Sequence, residues 1–398
     1  MSKWKEKTLG ELSIRVSSGL TPLKSNKEFW ENPIIPWLKT DQLGEKYIFD
    51  TNTKISKEAL EQTSLRIYPE NTISIAMYGE GKTRGNLSII KAPMTTNQAC
   101  CNIELDSKLA DVEYVYYFLK TQYDALRKLS SGVRKNLNSN DIKNYKIYIP
   151  ESVSFQRSIV RILTSLDNKI SVNNQINQEL EAMAKTLYDY WFVQFDFPDQ
   201  KGKPYKSSGG KMVYNPELKR EIPEGWGVES VGNLLDKVTK AEKIENNSIE
   251  FIGEIPVIDQ SQKYIAGFTN NENALLQAQD GHVIFGDHTR VVKYINFDYA
   301  RGADGTQVLI SNNENISNVL LYHMIEDFDL SNYGYARHFK FLKEKTVIVP
   351  DKEVSSKFET QANVIYEKIK NNIFENQELT QLRDWLLPML MNGQVKVE

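Results

Sequence analysis

A long amphipathic helix is written twice into this chain, and the two copies match too closely to have unrelated partners. Between Ser154 and Phe192 the apolar side chains Leu163, Leu166, Ile170, Leu180, Ala184, Leu187 and Trp191 alternate steps of three and four, the pattern of a coiled-coil seam. Between Ser356 and Met391 the same phase returns, with Ala362, Ile365, Ile369, Leu379, Leu386 and Leu390 each found 199 residues further on. Even the wording repeats: Asn177-Gln178-Glu179-Leu180 comes back as Asn376-Gln377-Glu378-Leu379. Each seam also carries two asparagines in phase, Asn173 and Asn177 in the first copy, Asn372 and Asn376 in the second. A core amide costs stability but fixes register, because a slipped pairing strands its hydrogen bonds. Two helices lying on separate domains would not need matched asparagines. If they pack antiparallel with midpoints aligned, Asn173 meets Asn376 and Asn177 meets Asn372. Roughly 36 residues at 1.5 Å per residue make a rod on the order of 54 Å long.

The repeat extends outside the helices. Trp4, Leu9, Gly10, Leu12 and Val16 recur as Trp226, Val231, Gly232, Leu234 and Val238 at a constant offset of 222. Lys146 to Pro150 and Thr346 to Pro350 read as strands stopped by proline just ahead of the long helices. The order is therefore globular domain 1–151, long helix 152–193, linker 194–222, globular domain 223–351 and long helix 352–392. In the first domain 71–77, 86–91 and 99–105 read as strands and 111–128 as a helix. In the second, 282–285, 291–297 and 306–311 look extended, and a helical run follows from Ile316 to Phe328. Both are mixed α/β domains, and the fold class is α+β with an internal repeat. The stretch from Asp196 to Lys211, rich in Gly, Pro, Ser and Lys, is a linker by composition. Roughly thirty extended residues span up to about 100 Å, enough to run from the far end of the first helix to the second domain.

A chain of 398 residues with 40% hydrophobic content holds two or three packed domains. It shows no run of about eighteen apolar residues and no charged-then-apolar leader, so the expectation is a cytoplasmic protein. Cys100 and Cys101 are adjacent, where a mutual disulfide would be strained, and read as small buried hydrophobes. His282, His288, His323 and His338 lack metal-ligand spacing, so no metal site is expected. The net charge of −3 is uneven: 22 Lys and Arg against 18 Asp and Glu give +4 for 1–153, and 12 against 19 give −7 for 226–353. Neither figure is the strongly basic footprint of a nucleic-acid binder, so any DNA contact must come from local clusters or from partner subunits.

Ala76-Met77-Tyr78-Gly79-Glu80-Gly81-Lys82-Thr83 nearly spells a phosphate-binding loop, but its first glycine is missing and a strand-like run follows instead of a helix. A glycine-rich hairpin turn presenting Lys82, Thr83 and Arg84 is the better account. Such a turn lets basic side chains approach phosphates and lets arginine reach guanine. Arg134, Lys135 and Asn136 form a second cluster, and Asn97 and Gln98 supply amides suited to adenine. In the second half the candidates are Thr289, Arg290, Arg301, Thr306, Gln307, Arg337, His338 and Lys340. No dinucleotide fingerprint, flipped-base methyltransferase element or nucleophile elbow occurs, so no catalytic residue is assigned. Pro198-Asp199 with Lys201 and Lys203 faintly suggests a nuclease motif, but it lies in the linker with no scaffold to hold a metal.

Taken together, the chain resembles the specificity subunits of type I restriction-modification systems over nearly its whole length. The resemblance rests on the Pro150, Gln156 and Ile159 lead-in to the first helix and on the linker from Gly202 to Tyr214 running into Ile222-Pro223-Glu224-Gly225-Trp226. Ser18-Gly19-Leu20-Thr21-Pro22 is similar to the family's Gly-Thr-Pro loop, with Leu20 a departure, and adds Thr21 and Lys24 to the DNA candidates. Thr96-Asn97-Gln98-Ala99 is similar to a common recognition-domain strand. The second half lacks the loop glycines near position 240 and the glutamine at the start of its long helix. The resemblance implies a non-enzymatic reader whose two domains, related by an approximate two-fold axis, each read half of an asymmetric bipartite DNA site. The paired helices would set the gap and dock two methyltransferase subunits, through which two nuclease-translocase subunits join. S-adenosylmethionine, ATP and Mg would bind on those partners, and none in this chain. Two other classes stay open: a targeting subunit of a different phage-defence or DNA-modification complex, and a coiled-coil scaffold without DNA function.

Overall fold

The computed structural model describes residues 3–79, 83–129, 136–236, 238, 241–334 and 337–395. They form two compact units, Met1–Ile170 with Gln377–Glu398, and Ser171–Asn376. Each long helix is shared between the units. The first runs Val153–Tyr188 and ends in one π turn, Asp189–Val193; the second runs Lys352–Met391. Ser152 opens the first by accepting from Phe155 N at 3.3 Å, and Asp351 opens the second by accepting from Val354 N at 2.9 Å. No helix of the described residues is long and apolar enough to cross a membrane.

Inside the second unit the helices pair antiparallel through the amide layer that their matched phase predicts. Asn372 Nδ2 donates to Asn177 Oδ1 at 2.8 Å, and Asn173 Nδ2 donates to Asn376 Oδ1 at 2.9 Å. Asn173 also donates to Glu375 Oε2 at 2.7 Å, and Asn376 to Asn174 Oδ1 at 2.8 Å. Asn173 and Asn372 are each 1% exposed, so these bonds are what allows the amides to be buried. Ile369 is buried in the same core, with Leu180, Leu187 and Ile365 packed against it.

Inside the first unit Leu163, Leu390 and Met391 are buried, and Leu386 packs against them, whereas Leu166, Ile170 and Leu379 stay half-buried. Here the pairing is partly ionic. Arg383 Nη1 lies 2.9 Å from Asp167 Oδ1, Tyr117 Oη donates to Asp167 Oδ2, and Lys46 Nζ reaches Tyr117 Oη and Glu113 Oε2, each at 2.7 Å. That network joins the globular part of the unit to both long helices.

Each unit has the same plan. In the first, a five-stranded sheet runs in the order Ser13–Ser18, Cys100–Leu105, Ile73–Ala76, Leu87–Ile90, Tyr47–Ile48. In the second, the shorter equivalent runs Val292–Ile295, His282–Gly286, Thr306–Leu309. A further sheet in each unit, of three strands in the first and four in the second, contains a parallel pair, Trp37 and Leu38 on Thr95 and Thr96, Val257 and Ile258 on Ala300 and Arg301. Strand Tyr299–Arg301, absent from the sequence reading, is only three residues long and has no alternation to find. The expected helix over 111–128 breaks at Gln122 into Val112–Thr121 and Tyr123–Lys128, and the run from Ile316 starts at Asn318, capped by Ser317.

The strands that frame each domain also repeat: Trp4–Thr8 pairs with Lys146–Pro150, and Gly227–Ser230 with Thr346–Val349. The repeated glycines follow from this packing. A Cβ on Gly10 would lie 2.8 Å from Lys143 Cγ, and one on Gly232 would lie 3.1 Å from the Lys343 carbonyl.

The expected linker is not a free strap. Phe195, Phe197, Ile222 and Trp226 are buried with Trp191 and Phe192 in the core of the second unit. Phe197 stacks between Tyr205 at 4.6 Å and Trp226 at 4.9 Å, and Met212–Asn215 pairs with Arg220–Pro223 as a hairpin. The end of the first helix already sits inside the second unit, so no long crossing is needed. Composition concealed this, because glycine, proline and lysine outnumber the four aromatic anchors.

Asn372→Leu should destabilise the second unit by about 1–3 kcal/mol in urea denaturation, since it leaves the Asn177 amide buried without its donor. Adding Asn177→Leu should recover most of that loss, because an apolar pair replaces both partners. A double variant no more stable than the single one would contradict the paired-amide account.

Candidate nucleic-acid interface

The candidate residues of the first unit gather where three loops meet one backbone position. Hairpin strands Ile73–Ala76 and Leu87–Ile90 close through Gly85 N to Ala76 O at 2.9 Å and Ala76 N to Asn86 O at 2.8 Å. A strand, not a helix, follows the glycine-rich turn, so no helix N-terminus faces a phosphate there. Met77, just past the first strand, donates its N–H to Ala99 O at 2.8 Å and accepts from Leu137 N at 3.2 Å. This junction brings the hairpin turn with Thr83 and Arg84, the turn with Asn97 and Gln98, and Asn136 to one end of the sheet. Lys82, Arg134 and Lys135 lie outside the described residues. Thr83, Arg84, Asn97 and Asn136 are half-buried; Gln98 and Lys24 are exposed.

Two segments that carry the family resemblance touch each other here. Thr21 Oγ1 donates to Gln98 Oε1, and Leu20 N donates to Thr96 O at 3.0 Å. A Cβ on Gly19 would stand 2.2 Å from the Thr96 carbonyl oxygen, so only glycine lets the loop lie this close. The departure at Leu20 is absorbed through its backbone, whose carbonyl accepts from Trp37 Nε1 at 3.0 Å. Gln156 is likewise explained: fully buried, it donates to Pro150 O at 2.7 Å and accepts from Asp111 N at 2.7 Å.

The second unit builds the same junction on Asp287. Its N–H donates to Gly305 O at 2.7 Å, and its carbonyl accepts from His338 N at 3.0 Å, in the roles Met77 plays toward Ala99 and Leu137. The junction is reinforced by His338 Nδ1, which donates to the same carbonyl at 2.9 Å, and by Asp287 Oδ1, which accepts from Phe339 N at 2.8 Å. Thr289 and Arg290 form the exposed tip of a short hairpin turn, with Arg290 at φ 63°. Arg337 and Lys340 are exposed; Arg301 and Gln307 are half-buried. Thr306 and His338 are each 3% exposed, which places them beneath the surface as supports instead of on it.

Sequence reasoning missed Met77, Asp287 and Lys293, whose roles are carried by backbone geometry or burial and leave no motif. Lys293 is 5% exposed and donates to the carbonyls of Asp259 at 2.8 Å and Lys263 at 2.5 Å, clamping the loop between them. Burial pushes its ammonium down from 10.5 to about 8, partly opposed by Asp259. Burial also pushes the Cys100 and Cys101 thiols up to about 12, as befits inert core side chains. Among the described residues no group of three His, Cys, Asp or Glu could hold a metal ion.

Residues 1–182 match the family described as type I restriction modification DNA specificity domain. Over 429 aligned residues the chain is 28% identical to the type I restriction enzyme MjaIX specificity subunit of Methanocaldococcus jannaschii, covering 99% of this chain and 93% of that one. The chain is thus similar to specificity subunits of type I restriction-modification systems, over its first 182 residues by the family match and over nearly all of its length by the MjaIX subunit. It is also 30% identical over 197 residues to the EcoR124I/EcoR124II specificity subunit of Escherichia coli, covering 48% of each. The crystal structure of the type I system S subunit from M. genitalium shares the fold, with a TM-score of 0.57 at 16% identity over 98% of this chain and 96% of that one.

Lys293 gives the second unit a pH signature. The unfolded chain keeps the lysine proton up to about 10.4, the folded one only to about 8. From pH 8 to 10 the unfolded state therefore binds more protons, and this group makes stability rise with pH. Urea denaturation at pH 8 and 9.5 should show a rise in the wild type that Lys293→Met loses; an equal slope in both proteins would contradict the burial of a charged lysine.

Proposed function

We propose that this chain is a non-catalytic specificity subunit that reads an asymmetric bipartite DNA site, one half with each unit's junction surface. The observation that carries the reading is the repeated junction, Met77 with Ala99 and Leu137 in one unit, Asp287 with Gly305 and His338 in the other. Each presents a hairpin turn bearing Thr and Arg beside a second polar segment, a shape able to enter a groove and offer arginine to guanine O6 and N7. The base-reading candidates are Arg84, Asn97, Gln98, Arg290 and Gln307; Thr21, Lys24, Thr83, Asn136, Thr289, Arg301, Arg337 and Lys340 are the positioning and phosphate candidates. Lys82, Arg134 and Lys135 belong with the first set by sequence alone.

The helix pair would dock two methyltransferase subunits, through which nuclease-translocase subunits join. In the second unit it leaves Met183 58% and Val364 70% exposed, and in the first Trp385 64%, an apolar surface of the kind partner subunits cover. S-adenosylmethionine, ATP and Mg would bind on those partners, and the assembled complex would work in the cytoplasm. Helix length would set the gap between the half-sites.

Co-expression with the methyltransferase subunit, followed by genome-wide mapping of methylated adenines, tests this directly. The expected result is a single bipartite motif with a fixed gap, in which Arg84→Ala relaxes one half and Arg290→Ala the other by about tenfold. A stable complex that methylates nothing would contradict the reader role.

A further inference from the structure

One side chain outside every candidate above ties the second unit's loops together. Gln260 follows strand Ile255–Ile258 and is half-buried. Its Nε2 donates to Asp304 O at 2.9 Å, and its Oε1 accepts from His288 N at 3.1 Å. Its own carbonyl accepts from Thr289 Oγ1 at 2.7 Å. One residue thus joins three segments: its own loop, the hairpin turn that carries Thr289 and Arg290, and the turn between Arg301 and Thr306. The fit is close, since a Cβ on Gly305 would lie 2.8 Å from both amide atoms of Gln260. The loop is itself anchored from below, because Lys293 donates to the carbonyls on either side of it, Asp259 and Lys263.

We infer that Gln260 is a specificity-positioning residue, holding the Thr289–Arg290 turn against the Arg301–Thr306 turn so that Arg290 meets base edges in one geometry. This rests on the reader role proposed above. Bidentate recognition of guanine needs an aligned guanidinium; Arg290, at φ 63° on an exposed tip, is closed into its own turn by its N–H to Gly286 O at 2.7 Å, and Gln260 fixes where that turn lies against the neighbouring one. Gln260 uses its amide as donor and acceptor at once, which neither Asp nor Ala at that position can do. By the register of the parallel strand pairs, Leu38 on Thr96 and Ile258 on Arg301, the matching position of the first unit is Thr40. The device therefore belongs to the second half-site alone.

The test compares wild type, Gln260→Ala and Gln260→Glu in the methyltransferase complex, with two readouts. The first is base preference at each position of the methylated motif. Gln260→Ala should lower discrimination about fivefold or more in the half read by the second unit and leave the other half as it was. Equal loss in both halves, or no loss in either, would overturn the inference. The second is hydrogen exchange of the His288 amide without DNA. Exchange should accelerate in Gln260→Ala and stay protected in Gln260→Glu, which keeps an acceptor for that N–H; unchanged protection in Gln260→Ala would also overturn the inference. A wild-type complex that methylates no bipartite motif would refute the reader role, while His288 exchange would still decide whether Gln260 holds the turn.

Discussion

Four asparagines on two helices hold the pairing on which everything else in the second unit is mounted. A seam made only of leucine and isoleucine can slide by a heptad and still bury apolar surface. Buried amides cannot, because each needs its partner within hydrogen-bond reach. Asn372 on Asn177 and Asn173 on Asn376 admit one register, and that register decides which turns of the helices face the domain. Phe358, Ala362, Tyr366 and Ile369 then meet Trp191, Phe192 and Trp226 in a single core.

The repeat is one of architecture, and its departures are chemical. Ala184 of the first helix and Tyr366 of the second are buried in the aromatic core of the second unit. The positions 199 residues away from them, Arg383 and Asp167, form an ion pair in the first. Gln156, with bonds to Pro150 and Asp111, has Ser355 as its counterpart. Two domains cut to one plan but held to their helices by different interactions can diverge in surface without exchanging roles. That is what a reader of an asymmetric sequence needs.

Much of this was legible in the sequence because it is written as periodicity. The heptad phase located both helices, and the matched asparagines named their own partners, since a core amide has few ways to be satisfied. The framing strands were legible for the same reason, as apolar runs stopped by Pro150 and Pro350. The Arg383 and Asp167 pair was not, because a charged residue at a seam position looks like a break in the pattern until its partner is seen. The packed linker was hidden by its composition, with Phe195, Phe197 and Tyr205 spaced too irregularly to register. The candidate interface could be listed from the sequence as residue types, hairpin arginines and adenine-suited amides, but not as a surface. Burial of Thr306 and His338, and the junctions at Met77 and Asp287, depend on backbone bonds between segments far apart in sequence.

The acidic balance of the second domain is consistent with this division of labour. Phosphate attraction is sequence-independent and can be supplied by partner subunits, whereas base reading needs only a few well-held side chains. The central claim is that each unit addresses its own half of one site. A photo-crosslinking residue placed at Thr83, and separately at Thr289, in the methyltransferase complex bound to its DNA tests it most directly. The account predicts that Thr83 crosslinks to one half-site and Thr289 to the other; crosslinks from both positions to the same half, or from neither to any base, would contradict it.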